Sequence, residues 1–396
     1  MTKGKLYKRI RPLVLLLCLP FLATGCWDRL EVNDVAIVVA MGIDREKDGT
    51  YKLSLQIPLP GQMGSSGSKG GGGGTGGSKS YYIDSESGTT TRQAAVTLQK
   101  RMSRRLIYGH YRVLIISEEV ARNGIENLFD IFSRWPENRL TSYVIVSKGK
   151  AIDLLEVQSS LERFSGEAMR ELIQMGGFIP VSIKTVGQTL SHIGTDPIIA
   201  YMGQQETGAK EKSKEIQVLG YAQFQGDKMV DVFENEAAAG LAWMKREAKP
   251  VFLNVALNQP KRLQFNVSRA KTTITPSVDG NNRVKFKIEV EARLAVVENM
   301  TMEDLSEEQT IRKEIGAASA SIKNQIEKAV ATIRKNGSDS ADLGMIVYRK
   351  YPRKWQRTLK QHWTETLKNA EFDIHVDADI VQSGLANENI VRQENR

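Results

Sequence analysis

Hydrophobic and polar positions change their spacing along this chain, and the changes mark out its elements. Val35 to Ile43 is a continuous apolar run rich in β-branched residues, Tyr51 to Ile57 alternates apolar with polar, and Asp48-Gly49 lies between them. That pattern predicts a β-hairpin whose first strand is buried on both faces. Beyond it, Tyr81 to Ile83 reads as a short strand and Thr89 to Arg105 as a helix, with Ala94, Leu98 and Met102 at spacing four. Val113 to Ile116 is a strand, Ile125 to Phe132 a helix, Tyr143 to Val146 a strand, and a helical stretch opens at Ala151. Strands alternating with helices predict an α/β layer on a mixed sheet. From Phe164 to Ile199 the pattern is helical and irregular, and it ends in an expected linker, Gly203 to Lys214.

A second hairpin is expected where Ile216 to Phe224 and Met229 to Phe233 flank Gly226-Asp227. A short helix over Glu234 to Arg246 follows, with strands near Val251 to Leu257 and Leu263 to Val267. Val284, Phe286, Ile288, Val290, Ala292, Leu294 and Val296 then alternate along one long strand. A helix carries Ile311, Ile315, Ala318, Ile322, Ile326, Val330 and Ile333 on one stripe and stops at Asn336-Gly337. Another starts at Pro352, a residue suited to a first turn, and bears Trp355, Leu359, Trp363 and Leu367 at intervals of four. Phe372 to Ile380 is a last alternating strand. The predicted fold class is α/β and α+β, in three sequential domains with mixed sheets and flanking helices. Residues 26–203 form the N-terminal α/β domain, 204–275 a small α+β domain, and 276–396 a C-terminal α+β domain.

Composition alters this picture in one place. Gly61 to Ser80 is almost wholly Gly, Ser, Lys and Thr, so it has few side chains to bury and is expected as a flexible surface loop in the first domain. Gly72, Gly74 and Gly77 formally satisfy a dinucleotide-binding spacing, but no strand directly precedes them and no helix directly follows. The match is a product of the glycine run.

Charge and cysteines bear on the chain's destination. Lys3, Lys5, Lys8, Arg9 and Arg11 lead into the apolar stretch Pro12 to Ala23, which ends in Leu22-Ala23-Thr24-Gly25-Cys26. A basic start, a short apolar run and small residues before a cut site make a secretory signal over residues 1–25. Twelve apolar residues are too few to span a bilayer, which takes roughly 20. Thr24-Gly25 before a cysteine suits a lipoprotein signal peptidase, with diacylglycerol placed on the Cys26 thiol. Cys18 would leave with the signal, so the mature chain would keep Cys26 alone and hold no intramolecular disulfide, Cys-based zinc site or catalytic thiol. The formal charge of +9 falls to +4 once the five leader cations are gone, which weakens any inference of nucleic-acid binding from the basic pI.

The expected mature start, Cys26-Trp27-Asp28-Arg29-Leu30-Glu31-Val32-Asn33-Asp34, running into Ala36-Ile37-Val38 and Gly42-Ile43-Asp44, resembles the Ger(x)C family, the C subunits of bacterial spore germinant receptors. Gly88-Thr89-Thr90, Arg105 to His110 and Arg134-x-x-Glu137-x-Arg139 agree with it, as do Ala341-Asp342-Leu343-Gly344, Pro352-x-x-Trp355, Trp363 and Ser383-Gly384-Leu385. The resemblance runs from the lipid site almost to the last residue. It implies a three-domain lipoprotein on the extracytoplasmic face of the inner spore membrane, working beside an A subunit and a polytopic B subunit. It supplies no catalytic residues and no cofactor.

Other candidate chemistry is sparse. His375, Asp377 and Asp379, with Asp373, share one strand face, but along a strand they spread over ~20 Å, so a solvated polar face is expected rather than a metal site. Arg349, Lys350, Arg353, Lys354, Arg357 and Lys360 cluster beside Trp355 and Trp363. In an exported chain such a cluster suits acidic headgroups or a partner's acidic surface better than nucleic acid. The function expected is a non-enzymatic, lipid-anchored receptor subunit; an extracytoplasmic solute-binding lipoprotein of a transporter is the alternative.

Overall fold

A computed structural model describes residues 31–59, 80–175, 178–208, 213–245, 252–258, 261–300 and 304–382. After a single tight turn at Val32–Asp34, the first half runs β1 (Val35–Ile37), β2 (Ala40–Arg45), β3 (Tyr51–Pro58), β4 (Tyr81–Gly88), α1 (Thr91–Gln99), β5 (Arg105–Ile107) and β6 (Val113–Ser117). It continues with α2 (Glu118–Asn123), α3 (Glu126–Arg134), β7 (Tyr143–Ser147), α4 (Ala151–Glu156), α5 (Ser165–Met175), α6 (Ile183–Leu190) and β8 (Ile198–Glu206). The second half holds β9 (Lys214–Gln225), β10 (Lys228–Glu234), α7 (Asn235–Met244), β11 (Phe252–Asn258), β12 (Lys261–Val278), β13 (Val284–Asn299) and α8 (Glu308–Asn336). It closes with α9 (Leu343–Lys350), α10 (Pro352–Lys354), α11 (Trp363–Lys368) and β14 (Glu371–Gln382).

Eight strands form one mixed sheet in the order β10-β9-β8-β7-β6-β2-β3-β4. Its centre, β2, β6, β7 and β8, is parallel, and antiparallel strands extend both ends. The central strands read as unbroken apolar runs because helices cover both faces. Helices α4 and α5 lie on one face, over Val113, Ile115, Ile145, Ala200 and Met202. The other face belongs to a larger core that includes α1 to α3 and α6 and runs on, without a break, into the C-terminal sheet. That second sheet has the order β11-β12-β13-β14, with β14 parallel to β13 and the rest antiparallel. β13 buries every second residue from Val284 to Leu294, and α8 packs its Ala318, Ile322, Ile326 and Ile333 in the same core.

The apolar run at Val35 to Ile43 is not one strand. It breaks at Val38-Val39, so that β1 pairs with β5 while β2 enters the large sheet. Thr89 to Arg105 likewise divides into α1 and strand β5. The largest difference concerns residues 204–275, expected as a domain of their own. Their strands make no separate sheet: β9 and β10 complete the edge of the eight-stranded sheet beside β8, while β11 and β12 pair toward β13. An unpaired strand edge is satisfied by whichever partner the fold brings to it, and β8 runs directly into the expected linker to meet β9.

Candidate functional site

Cys26 and the leader expected before it lie outside the described residues, as does the glycine-rich stretch apart from Ser80. The described chain begins at Glu31, five residues beyond Cys26.

Among the described residues, a dense polar arrangement ties the C-terminal helices to the β8–β10 end of the large sheet. α8 ends at Gly337, whose left-handed backbone (φ +65°) turns the chain into Ser338-Asp339-Ser340. All three are buried. Asp339, 1% exposed, accepts from the backbone N–H of Leu343 at 2.7 Å, of Gly344 at 2.6 Å and from the Trp363 indole at 2.9 Å. These bonds tie the start of α9 to α11. From the other side, Asp196 accepts from the Asp339 N–H at 2.6 Å and from Gly226 N–H at 2.7 Å, and its own N–H donates to the Asp339 carbonyl at 2.9 Å. Ser338 donates to the Phe224 carbonyl, Gln223 to Ser340, and Asn336 to Gln223. Asp342 receives Thr195 and, at 2.6 Å, the Lys245 ammonium.

Burial pushes the Asp339 carboxyl up to about 7, against the lowering pull of its N–H donors, and nearby Asp196 adds to the rise. Asp196 is raised in the same way, again chiefly by burial. Beside the polar knot the backbones of Gly194 and Gly344 touch, with the Trp355 ring over both. Gly194 has φ +91°, and a side chain there would collide with Trp355. The arrangement is a rigid joint: it sets the C-terminal sheet and helices against the β8–β10 end of the large sheet.

The cluster Arg349, Lys350, Arg353, Lys354, Arg357 and Lys360 divides in two. Lys350 donates to the Pro276 carbonyl at 3.0 Å, and Lys354 to those of Val278 and Asp279 at 3.2 and 2.8 Å, so both fasten the helices to the end of β12. Arg349, Arg353 and Arg357 are exposed, Lys360 is half-buried, and no carboxylate among the described residues pairs with these four. Trp355, Leu359, Trp363 and Leu367 are all buried, as their spacing implies. The helix that carries them widens at Trp355–Leu359 into a π-helical turn, in which the Lys360 N–H donates to the carbonyl of Trp355, five residues back. On β14, Asp373 pairs with His375 at 2.8 Å and lies 3.7 Å from Lys285, and Asp379 pairs with Arg293. Those acids form ion pairs on a wet face, and among the described residues no group of three or more potential ligands could hold a metal.

Sequence reasoning passed over Ser338, Asp339 and Ser340. A short Ser/Asp run after a helix-ending glycine has the composition of a solvated turn, and only its burial shows otherwise. The nearest signal was Ala341 to Gly344 directly downstream.

Comparison with known proteins agrees along nearly the whole chain. The family described as "Spore germination protein N-terminal domain" matches residues 28–204, and "Spore germination B3/GerAC like, C-terminal" matches residues 219–384. A putative spore germination protein, YfkR of Bacillus subtilis (strain 168), is 34% identical, covering 97% of this chain and 98% of its own. Spore germination protein KC of the same organism is 27% identical over 96% and 97% of the two chains. Spore germination protein GerQC of Bacillus cereus is 23% identical over 94% and 98%. The crystal structure of the GerBC protein shares the fold, with a TM-score of 0.56 over 86% of this chain and 97% of its own at 15% identity.

Proposed function

The chain belongs to the spore germination B3/GerAC-like family, and from that premise we propose that it is the lipid-anchored, non-catalytic C subunit of a membrane receptor for nutrient-triggered germination. The observation that carries this reading is full-length similarity to spore germination proteins, in a chain whose residues 1–25 read as a lipoprotein-type leader before Cys26. Diacylglycerol on Cys26 would hold the protein on the extracytoplasmic face of the inner spore membrane. Two or three acyl chains, at ~0.8 kcal/mol per buried CH₂, are a lasting anchor. Glu31, where the described chain begins, is five residue steps from Cys26, and at about 3.5 Å per step the span reaches at most ~17 Å. The body would therefore lie against the headgroups, beside receptor A and B subunits, and the free cations Arg349, Arg353, Arg357 and Lys360 would face lipid or acidic partner surfaces. The rigid joint suits a subunit that works by assembly, since it fixes its surfaces relative to each other. The continuous core also disfavours the solute-binding alternative, which needs two bodies hinged around a ligand.

Deleting the gene should abolish germination with particular nutrients and leave vegetative growth and solute uptake intact. Restoring the Cys26→Ala variant should move the protein out of the membrane fraction, or leave an uncleaved precursor, and rescue germination poorly, because the anchor sets its effective concentration beside its partners. Mass spectrometry finding Trp27, or any later residue, at an unmodified mature N-terminus would refute the anchor. Normal germination of the deletion strain with every nutrient, alongside lost uptake in growing cells, would refute the receptor reading.

A further inference from the structure

Three stretches that carry the family resemblance in the first half lie far apart in sequence: Gly88 to Thr90, Arg105 to His110, and Arg134 to Arg139. The structure brings the second and third, through Tyr108 and through Trp135 and Asn138, together with Thr91 and Arg92 directly after the first, around one cavity of about 40 Å³ between the sheet and helices α1 and α3. Its floor is apolar, made by Met41, Ile43 and Leu53 of β2 and β3. By this measure a water needs about 10–15 Å³ and two to four polar partners. The space is roomy enough for about three waters, but polar groups reach it only from Thr91, Arg92, Tyr108 and Asn138, and the apolar floor gives waters nothing to bind. A branched group of three or four carbons suits it better.

Polar groups converge at one side of this chamber. The Arg92 guanidinium lies over the Trp135 ring, 3.1 Å from its centroid, and no carboxylate among the described residues pairs with it. Tyr108, 9% exposed, lines the same cavity with its ring 5.9 Å from that of Trp135. Its hydroxyl is buried and has no hydrogen-bond partner. Burial holds the phenol at about 12, so it is a neutral O–H donor; Arg92 acts on it electrostatically, opposed by the Glu137 carboxylate, which is itself paired with Arg105 at 3.2 Å. A buried donor without an acceptor, beside a cation without an anion, is an arrangement that an anion completes. An apolar pocket with a few convergent polar groups is how small-molecule sites are built.

We propose that this cavity binds a small branched aliphatic carboxylate, with its branched end on Met41, Ile43 and Leu53, one carboxylate oxygen accepting from the Tyr108 hydroxyl, and Arg92 closing over it as counter-ion. The site goes beyond the receptor reading, since it places a ligand on this subunit itself, and it is read on the purified chain without reference to germination.

The test is titration calorimetry of the full chain in detergent with isovalerate as probe. Saturable binding is expected, at least tenfold tighter than for acetate, which lacks the branch, or 3-methyl-1-butanol, which lacks the charge. Arg92→Gln should weaken it at least tenfold. Tyr108→Phe should weaken it several-fold while leaving the thermal midpoint unchanged, because its hydroxyl has no partner to lose. Ala95→Leu, which fills the chamber from α1, should abolish binding and hold or raise the midpoint. No saturable binding of isovalerate would overturn the proposal, as would equal binding of the alcohol, or binding that survives both Arg92→Gln and Ala95→Leu. A raised midpoint for Ala95→Leu in a parent that binds nothing would identify the cavity as a packing void and overturn it equally.

Discussion

Asp339 shows how much depends on single side chains at the joint. Its folded pKa, about 7, lies above the ordinary 3.8. Between those values the folded chain holds a proton that the unfolded chain has released, so this group's contribution is fully present below about pH 4 and is lost as pH rises through 7. Asp196, also raised, pulls in the same direction. Asp339→Asn removes one titration, so the fall in unfolding free energy over pH 4–7 becomes shallower by up to about 1.4 kcal/mol per pH unit. The amide also offers one accepting oxygen to three N–H donors, at a cost of about 1–3 kcal/mol. Urea melts at a series of pH values, parent against variant, measure both effects. A slope unchanged by the substitution would mean that Asp339 is ionised throughout.

Among the elements, α7 and α8 cross most tightly. At Gly240 the two backbones are so close that a Cβ would overlap the Gln325 carbonyl, and Trp243 donates to the Gln325 side chain at 2.8 Å beside it. Gly240→Ala forces the helices apart, and overpacking of this kind costs about 1–3 kcal/mol; thermal melts of the variant should show the loss. The stripe on α8 is readable in the sequence, and Ala318, Ile322, Ile326, Val330 and Ile333 are buried as expected. Its first turns are not: Ile311 and Ile315 are half-buried while Thr310 and Glu314 are buried. The apolar stripe, stepping by three and four, stays on one face of a helix of 3.6 residues per turn, whereas the buried positions Thr310, Glu314, Ala318 and Ile322 step by four and drift around it; the packing partner decides which face is covered in the first turns.

Across the whole molecule, one apolar core runs through both sheets, with the polar joint at its side. Because the two larger sheets share this core, they should unfold together rather than one by one, although two-state unfolding is otherwise usual only for domains under about 150 residues. Trp355→Ala removes the ring that covers Gly194 and Gly344. A loss of about 3–5 kcal/mol is expected, and in scanning calorimetry the single endotherm of the parent should divide into two. One undivided transition in the variant would show that the shared core alone couples the sheets.

Local regularities are legible in the order of the residues alone. The hairpins at Asp48-Gly49 and Gly226-Asp227, the period-two burial of β13, the four buried residues of the Trp355 to Leu367 series and the family itself all rest on short-range spacing or chain-order motifs, which a linear chain preserves. Strand partnership is not legible there: nothing local tells β9 to pair with β8 or β12 to pair with β13, because pairing is settled by which edges stand open when the core closes. The same holds for the Asp196–Asp339 joint and for the cavity around Tyr108 and Arg92. Their residues come from distant segments of the chain, and in sequence each looks solvated or merely apolar. Tertiary packing alone takes water from Asp339 and leaves the Tyr108 hydroxyl without a partner, and that desolvation is the source of their chemistry.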